Sequence, residues 1–264
     1  MDSIYKYVHD AQTGQRKAAL CTVVKTSGST PRKVGAKMIV YADGRIRGTI
    51  GGGELEKAVI QNALRQIEVR VPKLFRHDLV HQHNMCCGGS VDIFIEPIMN
   101  PIKLYIFGAG HTGLALAALA QQFPFSTVLI DERKQYLEQC TTDGVSKMCL
   151  PYAQAVQLLP FDADTYVCIM THSHEYDRDI LAACISKPHG YLGMIGSQRK
   201  VELTKKMFAD AGIASETLAN AIDMPMGLYI GAEGPEEIAL SIIAKLIAVK
   251  NGVNATAALH GKKN

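Results

Sequence analysis

Two adjacent cysteines, Cys86 and Cys87, are followed by two glycines in the segment HNMCCGGS, just before a strand-like run. Neighbouring cysteines rarely bridge each other, because the disulfide strains the peptide between them. Their spacing also differs from the Cys-x-x-Cys pattern of zinc and thioredoxin-type sites. The glycines leave the backbone open to a ligand. The segment therefore predicts a reactive or ligand-contacting sulfur, with a buried, inert pair as the alternative.

A second group of residues forms Gly-x-Gly-x-x-Gly, with Gly108, Gly110 and Gly113 between an apolar run and an Ala/Leu-rich segment. Such glycines permit a tight turn, the approach of a pyrophosphate and close packing of a helix on a strand. Asp131 follows about 20 residues later, where an acid that accepts ribose hydroxyls and disfavours a 2′-phosphate is expected. The pattern predicts binding of a dinucleotide or a similar ligand. The alternative is a fold that keeps the glycines without the ligand.

The segment THSHEYDRD places His172 and His174 after another apolar run. In α/β sheets, ligands bind at the carboxyl ends of strands, so we expect both histidines to contact a cofactor. A His-x-His pair could also bind a metal if a third ligand came from elsewhere, but we expect no resident metal. The alternative is a helix capped by Ser173 with two histidines on the surface.

Three glycine-containing or basic segments, GSTPRKVGAK, GTIGGGELE and GSQRK, have the composition of anion-binding loops. Backbone amides at a helix start and arginine side chains both suit phosphate. Ordinary loops with solvated charges, and acids that complement a helix dipole, are the alternatives. The candidate cofactor-binding residues in these segments are Ser29, Arg32, Gly52, Glu54, Ser197 and Arg199.

The elements that must position these residues form two groups. Residues 1–99 contain β-branched runs, a hairpin signal at Asp43-Gly44 and one segment with helical spacing, which predicts a small α+β domain. Residues 100–264 alternate short apolar strands with helical segments, which predicts a Rossmann-like, doubly wound parallel sheet. The segment between Pro97 and Pro101 is the expected linker. The predicted fold class is therefore α/β with two domains.

Composition limits the classes of function. The 264 residues carry a formal charge of +3 and contain no Trp, which does not indicate nucleic-acid binding. The sequence has no apolar run near the ~20 residues of a membrane helix, and its first residues lack a signal-peptide core. Seven cysteines, an odd number, do not fit a secreted disulfide framework. We expect a cytoplasmic protein with reduced thiols and no membrane contact.

Seven blocks of the sequence, in order, resemble the xanthine dehydrogenase accessory factor family, XdhC/CoxI. They are SGSTPRKVGAKMIV, GTIGGGELE, MCCGG, FGAGHTG, THSHEYD, GSQRK and GLYIGAEGPEEIALSI. The resemblance implies an XdhC/CoxI-type α+β domain followed by a Rossmann domain. It also implies a chaperone that binds molybdenum cofactor (molybdopterin) and passes its sulfurated form to a xanthine dehydrogenase-type hydroxylase. A homodimer that cooperates with a cysteine desulfurase is implied as well.

The sequence departs from the family pattern in its second block. The family often has Gly-Gly-Cys-Val-Glu there, whereas this chain has Gly51-Gly52-Gly53-Glu54-Leu55-Glu56. The missing cysteine leaves Cys86 and Cys87 as the main candidates for sulfur contact.

Three functions remain open from the sequence. A cofactor-binding chaperone is favoured over a catalyst. An NAD(H)-dependent oxidoreductase would use the Rossmann domain, with NAD or another nucleotide as cofactor, but no Lys/His or Tyr/Lys pair with dehydrogenase spacing is evident. A scaffold that joins a desulfurase to its client enzyme is the third possibility.

Overall fold

The computed structural model of the chain describes residues 3–14, 16–79, 88–196, 198–210 and 222–253. The chain divides into two compact units, Met1–Pro101 and Ile102–Asn264. Within the described residues, no helix is both long enough and apolar enough to span a membrane.

The elements of the first unit are α1 (Ile4–Thr13), β1 (Ala18–Ser27), β2 (Lys37–Tyr41), β3 (Ile46–Gly48), α2 (Gly53–Val69), β4 (Lys73–Asp78) and β5 (Ser90–Ile98). Its five strands form an antiparallel sheet with the strand order β3-β2-β1-β5-β4. The hairpin predicted at Asp43-Gly44 joins β2 to β3, and Gly44 has a φ of 82°.

Buried and more exposed side chains alternate along β5, and the buried ones contribute to the main core of this sheet. Val91, Ile93 and Ile95 of β5 are buried, while the residues between them keep some exposure. Alternate side chains of a strand point to opposite faces, so these three lie on one face. They pack with Leu55 and Val59 of α2, a helix whose apolar residues recur at helical spacing.

The strands of the second unit are β6 (Ile102–Phe107), β7 (Phe125–Ile130), β8 (Ser146–Met148), β9 (Thr165–Ile169) and β10 (Tyr191–Met194). They form a five-stranded parallel sheet with the strand order β10-β9-β6-β7-β8. Its helices are α3 (His111–Ala120), α4 (Lys134–Glu138), α5 (Tyr152–Leu158), α6 (His174–Ile185), α7 (Gln198–Asp210) and α8 (Pro235–Lys250). This confirms the predicted doubly wound, Rossmann-type fold.

Helices cover both faces of the parallel sheet. Every residue of β6 is buried, as expected for a strand that is covered on both sides. Leu104 and Ile106 belong to one core with residues of α3 and α8, whereas Tyr105 and Phe107 belong to a second core with residues of α5 and α6. The strand order reverses between β6 and β9, and the carboxyl ends of these two strands are where a doubly wound sheet binds its ligands.

Candidate functional site

The glycine motif forms the loop between β6 and α3, at the point where the strand order reverses. Gly108 has a φ of 112°, and a side chain there would collide with the carbonyl of Met170. A side chain at Gly113 would collide with the carbonyl of Gly108. Gly110 differs from both, because a Cβ at this position would meet nothing within 4 Å. Packing therefore requires the first and third glycines, whereas the second borders open space.

The start of α3 has the character of an anion seat. Gly110 is the N-cap residue, in an extended conformation, and no side chain caps the helix. The amides of the first helical turn have no partner within the helix. Together with the helix dipole, they favour a negatively charged group in the space beside Gly110.

Asp131, the predicted ribose acceptor, is fully buried and already has four donors. Its carboxylate accepts the Ala109 amide at 2.8 Å, the Arg133 amide at 3.0 Å, and Arg133 Nε and Nη2 at 2.9 Å each. Burial acts to raise the pKa of Asp131, but the hydrogen bonds from Arg133 and Ala109 outweigh it and lower the pKa. A ribose hydroxyl could bind this carboxylate only by displacing one of these donors.

Arg133 adjoins the candidate site and was not among the predicted site residues. Its guanidinium lies 3.9 Å from the centre of the Tyr136 ring as well as against Asp131, so two partners hold it in place. An arginine in this loop is the group that accommodates a 2′-phosphate in other Rossmann proteins. The Asp-x-Arg spacing of residues 131–133 was the available signal.

The segment after β9 borders the other side of the glycine loop. The amide and hydroxyl of Thr171 donate to Asp177 at 2.8 and 2.7 Å. His174 Nδ1 lies 3.5 Å from the same carboxylate. Burial raises the pKa of Asp177, although Thr171 and His174 oppose the shift. Asp177 therefore fixes the shape of this segment.

The two predicted histidines lie in different surroundings. His172 makes an edge contact with the ring of Tyr176, at 5.4 Å between ring centres, and His174 pairs with Asp177. Ser173 caps α6 by accepting the Glu175 amide, so the capping alternative is also present. The described residues contain no group of three His, Cys, Asp or Glu side chains that could hold a metal ion.

In the first unit, three glycine segments meet at one end of the sheet. A Cβ at Gly51 would contact the ring of Pro31 at 2.5 Å, and a Cβ at Gly28 would contact Gly89 at 3.1 Å. Ser29 and Arg32 lie exposed in the loop that these contacts bring together. Cys86 and Cys87 lie outside the described residues, but Gly88 follows them directly, and its carbonyl lies 3.2 Å from the Cβ position of Gly28.

Glu56, which was not among the predicted site residues, accepts hydrogen bonds from backbone amides of the loop before α2. Its Oε1 accepts the Thr49 hydroxyl, the Ile50 amide at 3.2 Å and the Gly52 amide at 2.9 Å. Burial acts to raise the pKa of Glu56, but these donors outweigh it and lower the pKa. The chain's own carboxylate therefore fills the place where an external anion was expected.

Glu54, the predicted acid, is on the surface and pairs with Lys57 at 2.7 Å. Residues two positions apart point to different sides of a helix, so Glu54 cannot share the position of Glu56. Arg199 lies in α7, and Ser197 lies outside the described residues. The binding roles of these residues stay predictions.

Comparison with known proteins gives matches to both units. The XdhC and CoxI family matches residues 11–78, and the XdhC Rossmann domain matches residues 104–246. The chain is 35% identical to the Escherichia coli uncharacterized protein YqeB, over 88% of this chain and 43% of that protein. It is 30% identical to a probable xanthine dehydrogenase subunit from Bacillus subtilis, over 62% of this chain and 48% of that protein. The chain thus spans less than half the length of these two relatives.

A third relative matches along most of its length. The molybdenum cofactor insertion chaperone PaoD of Escherichia coli is 22% identical, over 94% of this chain and 88% of that protein. A solved structure described as a xanthine dehydrogenase from Bacillus halodurans has a TM-score of 0.52 and 21% identity, over 95% of this chain and 96% of that one. This structural likeness supports the fold. Because the XdhC Rossmann domain alone covers more than half of the sequence, the chain belongs to the XdhC and CoxI family.

Proposed function

We propose that this chain is an accessory chaperone that binds molybdenum cofactor as cargo and assists its insertion into a molybdenum hydroxylase of the xanthine dehydrogenase type. The observation that carries the proposal is the open space beside Gly110 at the uncapped start of α3. Molybdopterin ends in a phosphate, and this seat suits a phosphate. Family membership and the name of PaoD, a molybdenum cofactor insertion chaperone, support the choice of cargo.

A second relative supports the proposed class of client enzyme. The Bacillus subtilis protein is a probable xanthine dehydrogenase subunit, and we propose a client of that type for this chain. Protein groups that position a bound cargo do not need to react with it, so a chaperone requires only an anion seat and surrounding contacts. We assign Gly108, Gly110 and Gly113 to the phosphate seat, with His172 and His174 at its border.

In the first unit, we propose that Cys86 or Cys87 contacts the cargo's metal centre or carries a sulfur atom destined for it. A thiolate is a ligand of soft metal centres and can carry a persulfide. The contact of Gly28 with Gly88 and Gly89 supports the proposal, because a Cβ at Gly88, the residue after Cys87, would meet nothing within 4 Å. Ser29 and Arg32 would add donors for an anion there.

Sulfuration of the cargo, partnership with a cysteine desulfurase and homodimerisation also belong to the proposal. Co-purification of the tagged chain with a desulfurase, and light scattering on the purified chain, test the last two. A monomer at all concentrations would remove the homodimer from the proposal without affecting cargo binding.

The central experiment measures the cargo directly. The protein would be purified without oxygen, and its molybdenum and pterin contents would be determined for the wild type, Gly110→Val and Gly234→Val. Gly234 is the matched control, since it is also an extended, uncapped N-cap residue, at the start of α8, and a Cβ there meets only the Glu236 side chain at 3.7 Å. We expect cargo in the wild type and in Gly234→Val, and none in Gly110→Val. Equal contents in all three proteins would contradict the assigned seat.

An NAD(H)-dependent oxidoreductase is the second candidate, favoured by the parallel sheet and the glycine loop at its switch point. Thermal-shift measurements with NAD, NADP and molybdopterin separate the candidates. A ligand at a hundredfold excess over its Kd stabilises the folded state by about 2.7 kcal/mol. A shift with NAD alone would favour the oxidoreductase, and no shift with any ligand would favour a scaffold.

A further inference from the structure

A cavity of about 450 Å³ lies between α5 and α6 in the second unit. Its polar and aromatic lining comes from Glu132, Tyr152, Gln157, Tyr176, Asp179 and Lys187. We propose that this cavity holds a planar 2-amino-4-oxo heterocycle, such as a pterin, whose phosphate lies on the Gly108–Gly113 loop. This inference rests on the proposed function, because it assigns the ring of the same ligand.

The cavity adjoins the glycine loop through two short connections. On one side, Asp131 accepts the Ala109 amide at 2.8 Å, and the next residue, Glu132, lines the cavity. Since consecutive Cα atoms are about 3.8 Å apart, Glu132 lies within roughly 10 Å of the loop. On the other side, Asp177 accepts the Thr171 amide, and the preceding residue, Tyr176, also lines the cavity. A single ligand of nucleotide size can therefore reach both places.

Two aromatic side chains, Tyr152 and Tyr176, line the cavity. Tyr152 and Tyr176 meet edge to face, with 5.4 Å between their ring centres, and His172 meets Tyr176 at the same separation. Such side chains stack on any planar heterocycle. The cavity volume is within the usual range for small-molecule sites, about 300–1,000 Å³. A bicyclic ring is thus well matched in size and in contact chemistry.

Tyr152 connects the cavity lining to the glycine loop. Its side chain is 4% exposed, and burial, followed by the nearby Asp131 carboxylate, raises the pKa of Tyr152. The hydroxyl therefore lies close to the carboxylate that accepts the Ala109 amide of the glycine loop. The cavity and the loop thus share Asp131 as a neighbour.

The charged groups of the lining select among heterocycles. Glu132 and Asp179 are carboxylates of the lining, and a carboxylate can accept two parallel hydrogen bonds from a ring N–H and an adjacent amino group. A 2-amino-4-oxo ring, present in pterins and guanine, has these two donors side by side. Adenine has an amino group but no adjacent ring N–H. The lining therefore favours a pterin or guanine over adenine.

The test is isothermal titration calorimetry of the full chain. The probes are the oxidised, phosphate-bearing pterin derivative of molybdopterin, GDP, ADP and inorganic pyrophosphate. Tyr176→Ala removes the stacking ring, Tyr176→Phe keeps it, and Tyr5→Ala removes an exposed ring from the first unit as a control. We expect Tyr176→Ala to weaken the binding of the pterin derivative about tenfold or more. Tyr176→Phe and Tyr5→Ala should stay near the wild type, and pyrophosphate should bind all four proteins equally.

Results that contradict the ring assignment can be told apart from results that contradict the proposed cargo. If the pterin derivative binds Tyr176→Ala as tightly as the wild type, its ring lies elsewhere, and the inference is wrong while cargo binding stands. If the binding of GDP depends on Tyr176 but the pterin derivative does not bind, a 2-amino-4-oxo ring in this cavity is supported and the proposed cargo is wrong. If ADP binds as well as GDP, or if only pyrophosphate binds the wild type, the assignment of a 2-amino-4-oxo ring is overturned.

Discussion

The guanidinium of Arg133 holds the buried carboxylate of Asp131 through two parallel contacts, Nε to Oδ1 and Nη2 to Oδ2, each of 2.9 Å. Asp131 in turn accepts the Ala109 amide of the glycine loop. The Asp131 carboxylate therefore links the end of β7 to the glycine loop at the end of β6. The arrangement orients the loop before any ligand binds, and it fixes the Arg133 guanidinium beside Asp131.

Replacing Arg133 with methionine should destabilise the second unit by about 2–3 kcal/mol, because Asp131 would keep its two amide donors and lose its countercharge. The measurement is urea denaturation. Arg45→Met is the matched control, since Arg45 pairs with Asp43 at the same sequence spacing but on the surface. The control should leave the urea midpoint unchanged. An equal effect of both substitutions would mean that burial of Asp131 does not strengthen its pair.

Two aspartates of the second unit should respond to pH in opposite directions. The folded-state pKa of Asp131 is lowered, so its carboxylate stabilises the fold above the unfolded pKa of about 3.9, and that stability is lost as pH falls through the folded value. The folded-state pKa of Asp177 is raised, mainly by burial, so ionisation of Asp177 removes stability as pH rises from about 3.9 through the folded value.

The free energy of unfolding of Asp131→Asn and Asp177→Asn, measured in urea across a pH series, tests this difference. Relative to the wild type, Asp131→Asn should become less stable with rising pH, and Asp177→Asn should become more stable. Thr171, which does not titrate in this range, and His174 contact Asp177, and the charged side chains of Arg178 and Lys200 line a small cavity with it. Slopes of the same sign for the two variants would contradict the assigned shifts.

The fold was predictable from the sequence because its signals are local. Alternating apolar strands and helices around residues 102–250 require a parallel sheet, and the glycine spacing at Gly108 and Gly113 matches the collisions that a side chain would cause there. The partners of charged side chains were harder to predict from the sequence. Arg133 follows Asp131 by two residues, but only the buried end of β7 makes that pair bidentate.

The acids before and within α2 illustrate the same limit. The sequence analysis selected Glu54, whose position in the first helical turn suits the helix dipole. The structure instead brings Glu56 onto the loop amides, because the backbone of residues 50–52 folds over that side of the helix. The loop's path depends on positive φ angles at Gly51, Gly52 and Gly53. Helical periodicity alone does not reveal which acid such a loop meets.

Glu56→Ala should therefore destabilise the first unit by about 1–2 kcal/mol, since the Ile50 and Gly52 amides would lose their acceptor. Glu54→Ala is the control in the same helical turn, and removal of its surface pair with Lys57 should change stability by less than about 0.5 kcal/mol. Urea denaturation gives both values. A larger effect of Glu54→Ala would show that the helix start, rather than the loop, depends on an acid.

The cysteine pair gives the most direct test of the sulfur proposal. We expect Cys86→Ala or Cys87→Ala to leave stability nearly unchanged and to lower activation of a xanthine dehydrogenase-type apoenzyme by the cargo-loaded chain. Mild alkylation followed by mass spectrometry measures how fast each cysteine is labelled, and three other cysteines of the chain serve as internal references. Cys149 is exposed and should label quickly. Cys21 and Cys184 are buried, and burial raises the pKa of each to about 12, so they should label slowly.

The cysteines of the pair should label at a rate comparable to that of Cys149 in the cargo-free protein, and cargo should slow their labelling. Cys149→Ser is the control for activation, because its loss should have no effect there. Slow labelling of both Cys86 and Cys87 in the native protein, together with normal activation by both alanine variants, would show that the pair fills a core. In that case the cargo would be held by the phosphate seat at Gly110 without a contact from these sulfurs.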